Sequence, residues 1–251
     1  MIRLVRAELF KLRTTRMYLG LLLAATGLVV LVTSLQFALG DDSSLTIEGA
    51  ATVVETEADL RSVLDVSGVA ALFTLILGAT ALTGEHRHRT IATTFLLTPA
   101  RSRVVAAKVV GYTIAGGAFG VVVEAAALVV AVGWLAASGG PIPFGTTVLA
   151  GLALTPVATG LAAGFGVGIG AVIPNQLAAA LAAFGWVMLA EQLLGGVVPE
   201  VALWLPFRGA GSAITGQNPD MGAAAGAALF LVYIIIIVGA GIQVTRRRDI
   251  A

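Results

Sequence analysis

Long runs without a charged residue decide what this chain can fold into. Between Arg16 and Asp41 lie 24 uncharged residues, between Asp65 and Glu85 lie 19, and between Asp220 and Arg246 lie 25. Each can cross a hydrocarbon layer that takes about 20 residues of helix. Between Glu124 and Glu191 there are 66 such residues, about 99 Å as one helix at about 1.5 Å per residue, so this stretch must fold back on itself. Composition agrees, with 58% of residues hydrophobic and 12% charged against about 25% charged in an ordinary soluble domain. The useful count is therefore of spans, not of soluble domains.

Turn formers divide what charges do not. Ser138-Gly139-Gly140-Pro141-Ile142-Pro143 and Pro174-Asn175 cut the longest run into pieces of span length. The pattern predicts an all-α polytopic membrane protein forming a single domain over residues 1–251. Its six transmembrane helices are expected at Met17–Leu39, Val66–Thr83, Val104–Leu135, Phe144–Val172, Gln176–Gly195 and Gly222–Thr245. An even number puts both termini on one side. Arg3, Arg6, Lys11, Arg13 and Arg16 precede the first span, Arg87, Arg89, Arg101, Arg103 and Lys108 lie between the second and third, and Arg246, Arg247 and Arg248 follow the last. These are 13 of the 15 basic residues, and the positive-inside rule makes their side the cytoplasm. Only Arg61 and Arg208 fall elsewhere. The acids Asp41, Asp42, Glu48, Glu55, Glu57, Asp59 and Asp65 are expected to crowd the first outer loop. The first span exceeds the apolar core of about 7–15 residues of a cleavable signal and reads as a retained anchor.

Few residues offer chemistry. The chain has no cysteine, which excludes disulfides and thiolate sites. It has no Gly-rich phosphate loop ending in Gly-Lys-Ser/Thr, so ATP-driven work requires a partner. Within residues 1–16, Ile2, Val5, Leu9 and Leu12 share a helical face with Arg6 and Arg13 at its rim, while Leu4 and Phe10 interrupt the pattern. Residues 85–99 begin polar and continue amphipathic, which suits docking on a soluble protein; the simpler reading is that Arg87 and Arg89 only enforce topology. His86 and His88 make poor metal ligands, being set among arginines without an evident third ligand.

Glu124 follows Val121, Val122 and Val123 and precedes Ala125, Ala126, Ala127 and Leu128. A carboxylate there costs about 2.5–3.5 kcal/mol on insertion scales. A substrate path or proton relay would explain it, and so would an interhelical hydrogen bond or a dimer contact. Glu191, near a helix end, reads as structural. Gly116 and Gly120, Gly160, Gly164 and Gly168, Gly166 and Gly170, and Gly222 and Gly226 have the spacing that lets membrane helices approach closely. Trp134 and Trp204 fall where belt aromatics sit, near outer helix ends.

Three stretches together carry a family resemblance. They are Arg6-Ala7-Glu8-Leu9-Phe10-Lys11-Leu12-Arg13-Thr14-Thr15-Arg16, residues 84–99 from Gly84 to Pro99, and Asn175-Gln176 opening the fifth span; Trp204-Leu205-Pro206 before the last span also fits. The whole chain resembles the membrane subunit of a type-2 ABC exporter, the ABC-2 permease class, and in particular its small six-span actinobacterial members. The resemblance implies an interfacial elbow helix over residues 1–16, with Arg6, Lys11 and Arg13 on it. It also implies a cytoplasmic coupling helix between spans 2 and 3 that sits in a cleft of the ATP-binding subunit, using Glu85, His86, Arg87, His88, Arg89, Thr90, Thr93, Thr94 and Phe95. Two ATP-binding subunits and a second permease copy, or a homologous permease, would complete the assembly in a bacterial plasma membrane. ATP and Mg would bind to the partner ATPase; no cofactor is expected on this chain, and no nucleic acid. Larger relatives carry an outer domain or re-entrant helices between the last two spans, whereas Pro199–Asp220 is short. Cargo in the family ranges over drugs, lipids, peptides and polysaccharides.

Two other classes compete with an efflux permease lacking enzymatic activity of its own. A proton-coupled secondary transporter would use Glu124 and a broken, Gly-rich fourth span. An intramembrane enzyme would rely on Glu85, His86 and His88.

Overall fold

The computed structural model describes residues 1–39, 54–87 and 100–247, and every regular element among them is helical. Six helical segments are long and apolar enough to cross a bilayer: Arg16–Leu39, Glu57–Glu85, Ser102–Ser138, Thr146–Val172, Gln176–Val197 and Ala223–Thr245. All six expected spans are thus present, and the chain is a multi-pass membrane protein.

Helix α1, Ile2–Thr14, ends where Thr15 turns extended (φ −92, ψ 118), and α2, Arg16–Leu39, begins at once. The second span is composite. Helix α3, Glu57–Leu64, passes through a 3₁₀ turn at Asp65–Val69 into α4, Ala70–Arg87. Helix α5, Arg101–Ser138, stops at Gly139, whose φ of 70 is left-handed and suits glycine. Helix α6 spans Thr146–Val172. The fifth span comprises α7, Gln176–Gly185, a π turn at Trp186–Ala190, and α8, Glu191–Val197. After it come α9, Pro199–Ala202, a π segment at Pro206–Gly211 and α10, Ser212–Ile214. Helix α11, Ala223–Arg247, closes the fold.

Two expectations are corrected. Glu57, Asp59 and Asp65 are not in a loop but on the helical start of the second span. The charges of Glu57 and Asp59 are met by hydrogen bonds at helix starts, which a count of charge-free residues does not register. Thr56 and Asp59 form a reciprocal capping box at the start of α3, and Glu57 Oε2 accepts the Thr147 N–H at 3.1 Å, capping α6. The fourth span is not broken; α6 runs continuously through Pro156 and its glycines, and the interruptions fall in the second and fifth spans. Pro199–Asp220 is short yet largely helical. It folds back on α11, where a Cβ on Gly226 would lie 2.7 Å from the Ala210 carbonyl oxygen. Phe207 there meets Phe230 edge-on at 5.3 Å and Phe165 at 6.0 Å.

The glycines explain why α6 is the centre of the bundle. Each face of α6 lets a different neighbour approach. A Cβ on Gly166 or Gly170 would overlap the Leu75 or Ala79 carbonyl of α4. One on Gly160 would sit 2.8 Å from the Thr113 carbonyl oxygen of α5, and one on Gly168 would strike Ile237 of α11. Without a hydrophobic force between helices in lipid, such close backbone contact is a main source of association. The small-residue stripes of α5 and α6 are therefore used inside the chain.

Contacts fix which ends of the helices lie together. Lys11, Glu85 and Lys108 share hydrogen bonds, Arg87 reaches Gln176, and a Cβ on Gly241 would touch Ala171. The starts of α5 and α7 and the ends of α1, α4, α6 and α11 thus share one end, here the terminal end. At the far end, Phe37 stacks on Trp134 at 6.2 Å, Glu57 meets Thr147, and Arg61 Nη2 donates to the Thr215 carbonyl.

Candidate functional site

Helix α1 is amphipathic with an exception at its centre. Leu12 and Glu8 are buried, with Val5 and Leu9 partly so, while Ile2 and Phe10 are exposed. The inward face therefore keeps Val5, Leu9 and Leu12 from the expected set but replaces Ile2 by a carboxylate. Glu8 is held against α5 beside Gly111, where an added Cβ would lie 3.3 Å from Glu8 Cβ.

That carboxylate belongs to a closed ring of charges. Lys108 Nζ, on a side chain 1% exposed, donates to Glu8 Oε2 at 2.7 Å and to Glu85 Oε1 at 2.8 Å. Lys11 Nζ donates to Glu8 Oε1 and to Glu85 Oε1, both at 2.9 Å. Two cations balance two anions, and burial is tolerated because each charge has partners. Burial alone would lower the pKa of Lys11, but its bonds to Glu8 and Glu85 and their negative charge outweigh this and hold it above the ordinary lysine value. The ring ties α1, the last turn of α4 and the first turns of α5 into one unit.

Its position matters because Glu85 stands at the root of the segment read as a docking loop. Glu85 and Arg87 lie on α4, and His86 continues its backbone. His88, Arg89, Thr90, Thr93, Thr94 and Phe95 lie outside the described residues. Arg87 Nη1 donates to Gln176 Oε1 at 3.3 Å, and Gln176 Nε2 approaches Met17 Sδ at 3.8 Å. Asn175 caps α7 by accepting the Ala178 N–H at 3.0 Å. The root of the loop is thus fastened to α1 and α5 on one side and to α7 and α2 on the other. Of the expected elbow residues, Lys11 is in the ring, and Arg6 and Arg13 are exposed with no ring contact.

Glu124 is 2% exposed, toward the far end of α5. Its Oε1 accepts from Arg61 Nη1 at 3.1 Å, and Oε2 accepts from the Ser67 hydroxyl. Arg61 Nη2 also lies 2.8 Å from Asp65 Oδ1. The guanidinium lies against Gly151 of α6, where any Cβ would strike it. Glu191, 1% exposed, takes the peptide N–H groups of Phe207 at 3.1 Å and Arg208 at 2.6 Å and the indole of Trp186 at 2.7 Å. It is the anionic cap of the Pro206–Gly211 segment, in keeping with a structural part. Among the described residues no group of three His, Asp or Glu is placed to hold a metal ion.

Sequence reasoning missed Glu8, Lys108 and Arg61 as partners. The signal was available in part: Lys108 stands among Val104, Val105, Ala106, Ala107, Val109 and Val110, and Glu8 among the inward apolar residues of α1. Each charge in an apolar setting demands an opposite one, but pairing across 100 residues needs the fold.

Between α2, the 3₁₀ turn, α6, the fifth span and the Pro206–Gly211 segment lies a partly open cavity of about 1020 Å³. A family model described as ABC-2 family transporter protein matches residues 4–206, from the first turn of α1 to the residue before Phe207. No curated protein matches the chain.

Proposed function

The chain belongs to the ABC-2 transporter family, and on that footing we propose that it is the permease subunit of an ATP-driven exporter, coupled to a separate ATPase through residues 84–103. The terminal end of the bundle is then cytoplasmic, α1 is the elbow helix lying along the membrane surface, and the membrane is a bacterial plasma membrane. Two ATPase subunits, which carry ATP and Mg, work on two permease chains. The first and fifth spans are each only 17% buried in their most apolar window, leaving surface for lipid and for a second permease copy.

The observation that carries this reading is the Lys11–Glu8–Lys108–Glu85 ring. A push on the docking loop reaches Glu85 within one helical turn of the loop. From there Lys108 passes it to α5 and Glu8 to α1, because the buried Lys108–Glu8 and Lys108–Glu85 pairs are costly to pull apart. Helix α4 also bears on α6 through backbone contact at Gly166 and Gly170, so displacement of α4 has to move the centre of the bundle. A fixed ion pair with Arg61 supports a packing role for Glu124, and a proton relay gains no support from it.

Co-expression with a soluble phosphate-loop ATPase, taken from a neighbouring open reading frame where one encodes it, tests the proposal. The two should co-purify, and ATP turnover in proteoliposomes should depend on the permease; Glu85→Gln should keep the complex but lower that dependence. A permease that purifies alone, or a Glu85→Gln complex indistinguishable from wild type, contradicts it.

A further inference from the structure

Resting on the reading of the chain as a transport subunit, we infer that the far-end cavity is a binding site for an amphiphilic organic cation of drug size. At about 1020 Å³ it matches the upper range of small-molecule sites, roughly 300–1,000 Å³. Its walls are mostly apolar, with Val32, Leu72, Phe207 and Phe230 among them, and Gln36 and Asp65 also line it.

Two features select the ligand. Gln36 is 7% exposed, and neither its amide nitrogen nor its amide oxygen has a hydrogen-bond partner. An unpaired buried amide is costly, and here it faces the cavity, where a ligand N–H would satisfy its oxygen. The second feature is charge. Arg61 is shared by Glu124 at 3.1 Å and Asp65 at 2.8 Å, two carboxylates to one guanidinium. Arg208, the other described basic residue at this end, donates to Gln192 at 2.7 Å and lies in the field of Glu191. One negative charge is left over, and it meets the cavity through Asp65, whose side chain is 27% exposed against 2% for Glu124. An N–H-bearing cation supplies the missing charge and a donor for Gln36, while its apolar body lies on Val32, Leu72 and the two phenylalanine rings. Aromatic faces also favour a cation; an anion would meet like charge.

Fluorescence polarisation on the full chain in lipid nanodiscs, without ATPase or nucleotide and with empty nanodiscs subtracted, tests this. The probes are rhodamine 6G, a cation bearing N–H groups, and fluorescein, an anion of similar size. Rhodamine 6G should bind saturably and at least about tenfold more tightly than fluorescein, with Asp65→Asn weakening it about tenfold or more, the scale of a charge-assisted hydrogen bond. Gln36→Leu removes an unpartnered polar group and so keeps the fold; it should weaken rhodamine 6G several-fold, and Leu72→Trp, which fills the cavity, should abolish saturable binding. Equal binding of the two dyes overturns the inference, and so does wild-type rhodamine 6G affinity in both Gln36→Leu and Leu72→Trp, which decide the matter if Asp65→Asn misfolds. Failure here leaves ATPase coupling untouched, whereas failure to associate with an ATPase leaves the dye measurements as they are.

Discussion

Replacing Lys108 by methionine removes one cation from a ring that is neutral only when all four members are present. Lys108 is 1% exposed and has both carboxylates within 2.8 Å. Breaking a buried ion pair from one side costs about 3–5 kcal/mol, because a charge is left without compensation. Here Lys11 still stands 2.9 Å from each carboxylate, which places the loss at the low end, about 3 kcal/mol. At about 2–4 °C per kcal/mol for a chain of this size, the unfolding midpoint should fall by about 6–12 °C. Lys11→Met acts on a side chain 49% exposed and should cost about 1 kcal/mol or less, as solvent-screened pairs do. Lys108→Met combined with Glu85→Gln removes one charge of each sign and should recover at least half of the single-mutant loss. Intrinsic tryptophan fluorescence during heating in nanodiscs reads all three. A Lys11→Met loss as large as that of Lys108→Met, or a double mutant whose losses simply add, would refute the claim that Lys108 is the buried keystone of the ring.

Packing along α6 makes a second test. Gly170→Ala should destabilise by about 1–3 kcal/mol through overpacking on the Ala79 carbonyl, whereas Gly27→Ala, with nothing within 4 Å of the new carbon, should be neutral or stabilising by up to about 1 kcal/mol; thermal midpoints separate the two. Glu191→Ala exposes the Phe207 and Arg208 N–H groups to an apolar setting and should cost about 1–3 kcal/mol, with faster hydrogen exchange confined to residues 204–216. For pH, the raised Lys11 value means its contribution is complete below the unfolded-state pKa near 10.5 and is lost as pH rises through the higher folded value. The difference in midpoint between wild type and Lys11→Met should therefore stay constant from about pH 6 to 9, and shrinkage inside that window would contradict the ring geometry.

How far the fold could be read in advance depended on whether a residue's partner was near in sequence. Charge-free runs locate helices because hydrocarbon excludes unpaired charge, and the ends of α2, α6 and α11 fall within a few residues of expectation. The same logic failed at α3, where Glu57, Asp59 and Arg61 are helical and satisfied by Thr147, Thr56 and Glu124. Glycine spacing announced close packing, yet only the fold shows that Gly160, Gly166 and Gly168 serve three different neighbours. Lys11 and Glu85 belong to separate elements in the sequence and meet in one ring; Glu8 and Lys108, which close it, carry in the sequence only a motif and a topology signal. Glu124 was legible as anomalous, but not its partner Arg61, which is 63 positions away. The docking assignment from His88 to Phe95 lies outside the described residues and stands as a proposal.

The central claim is that the terminal end of the bundle, at the root of the loop beyond Arg87, receives the ATPase. Because the chain has no cysteine, a single introduced one reports without background. Arg87→Cys and, at the opposite end, Trp204→Cys, whose native residue is 58% exposed, would each be labelled with a maleimide–benzophenone, which inserts into neighbouring C–H bonds on irradiation, in membranes containing the ATPase. The account predicts a permease–ATPase adduct from position 87 and none from position 204. An adduct from position 204, or its absence from position 87 while the complex is intact, would contradict it.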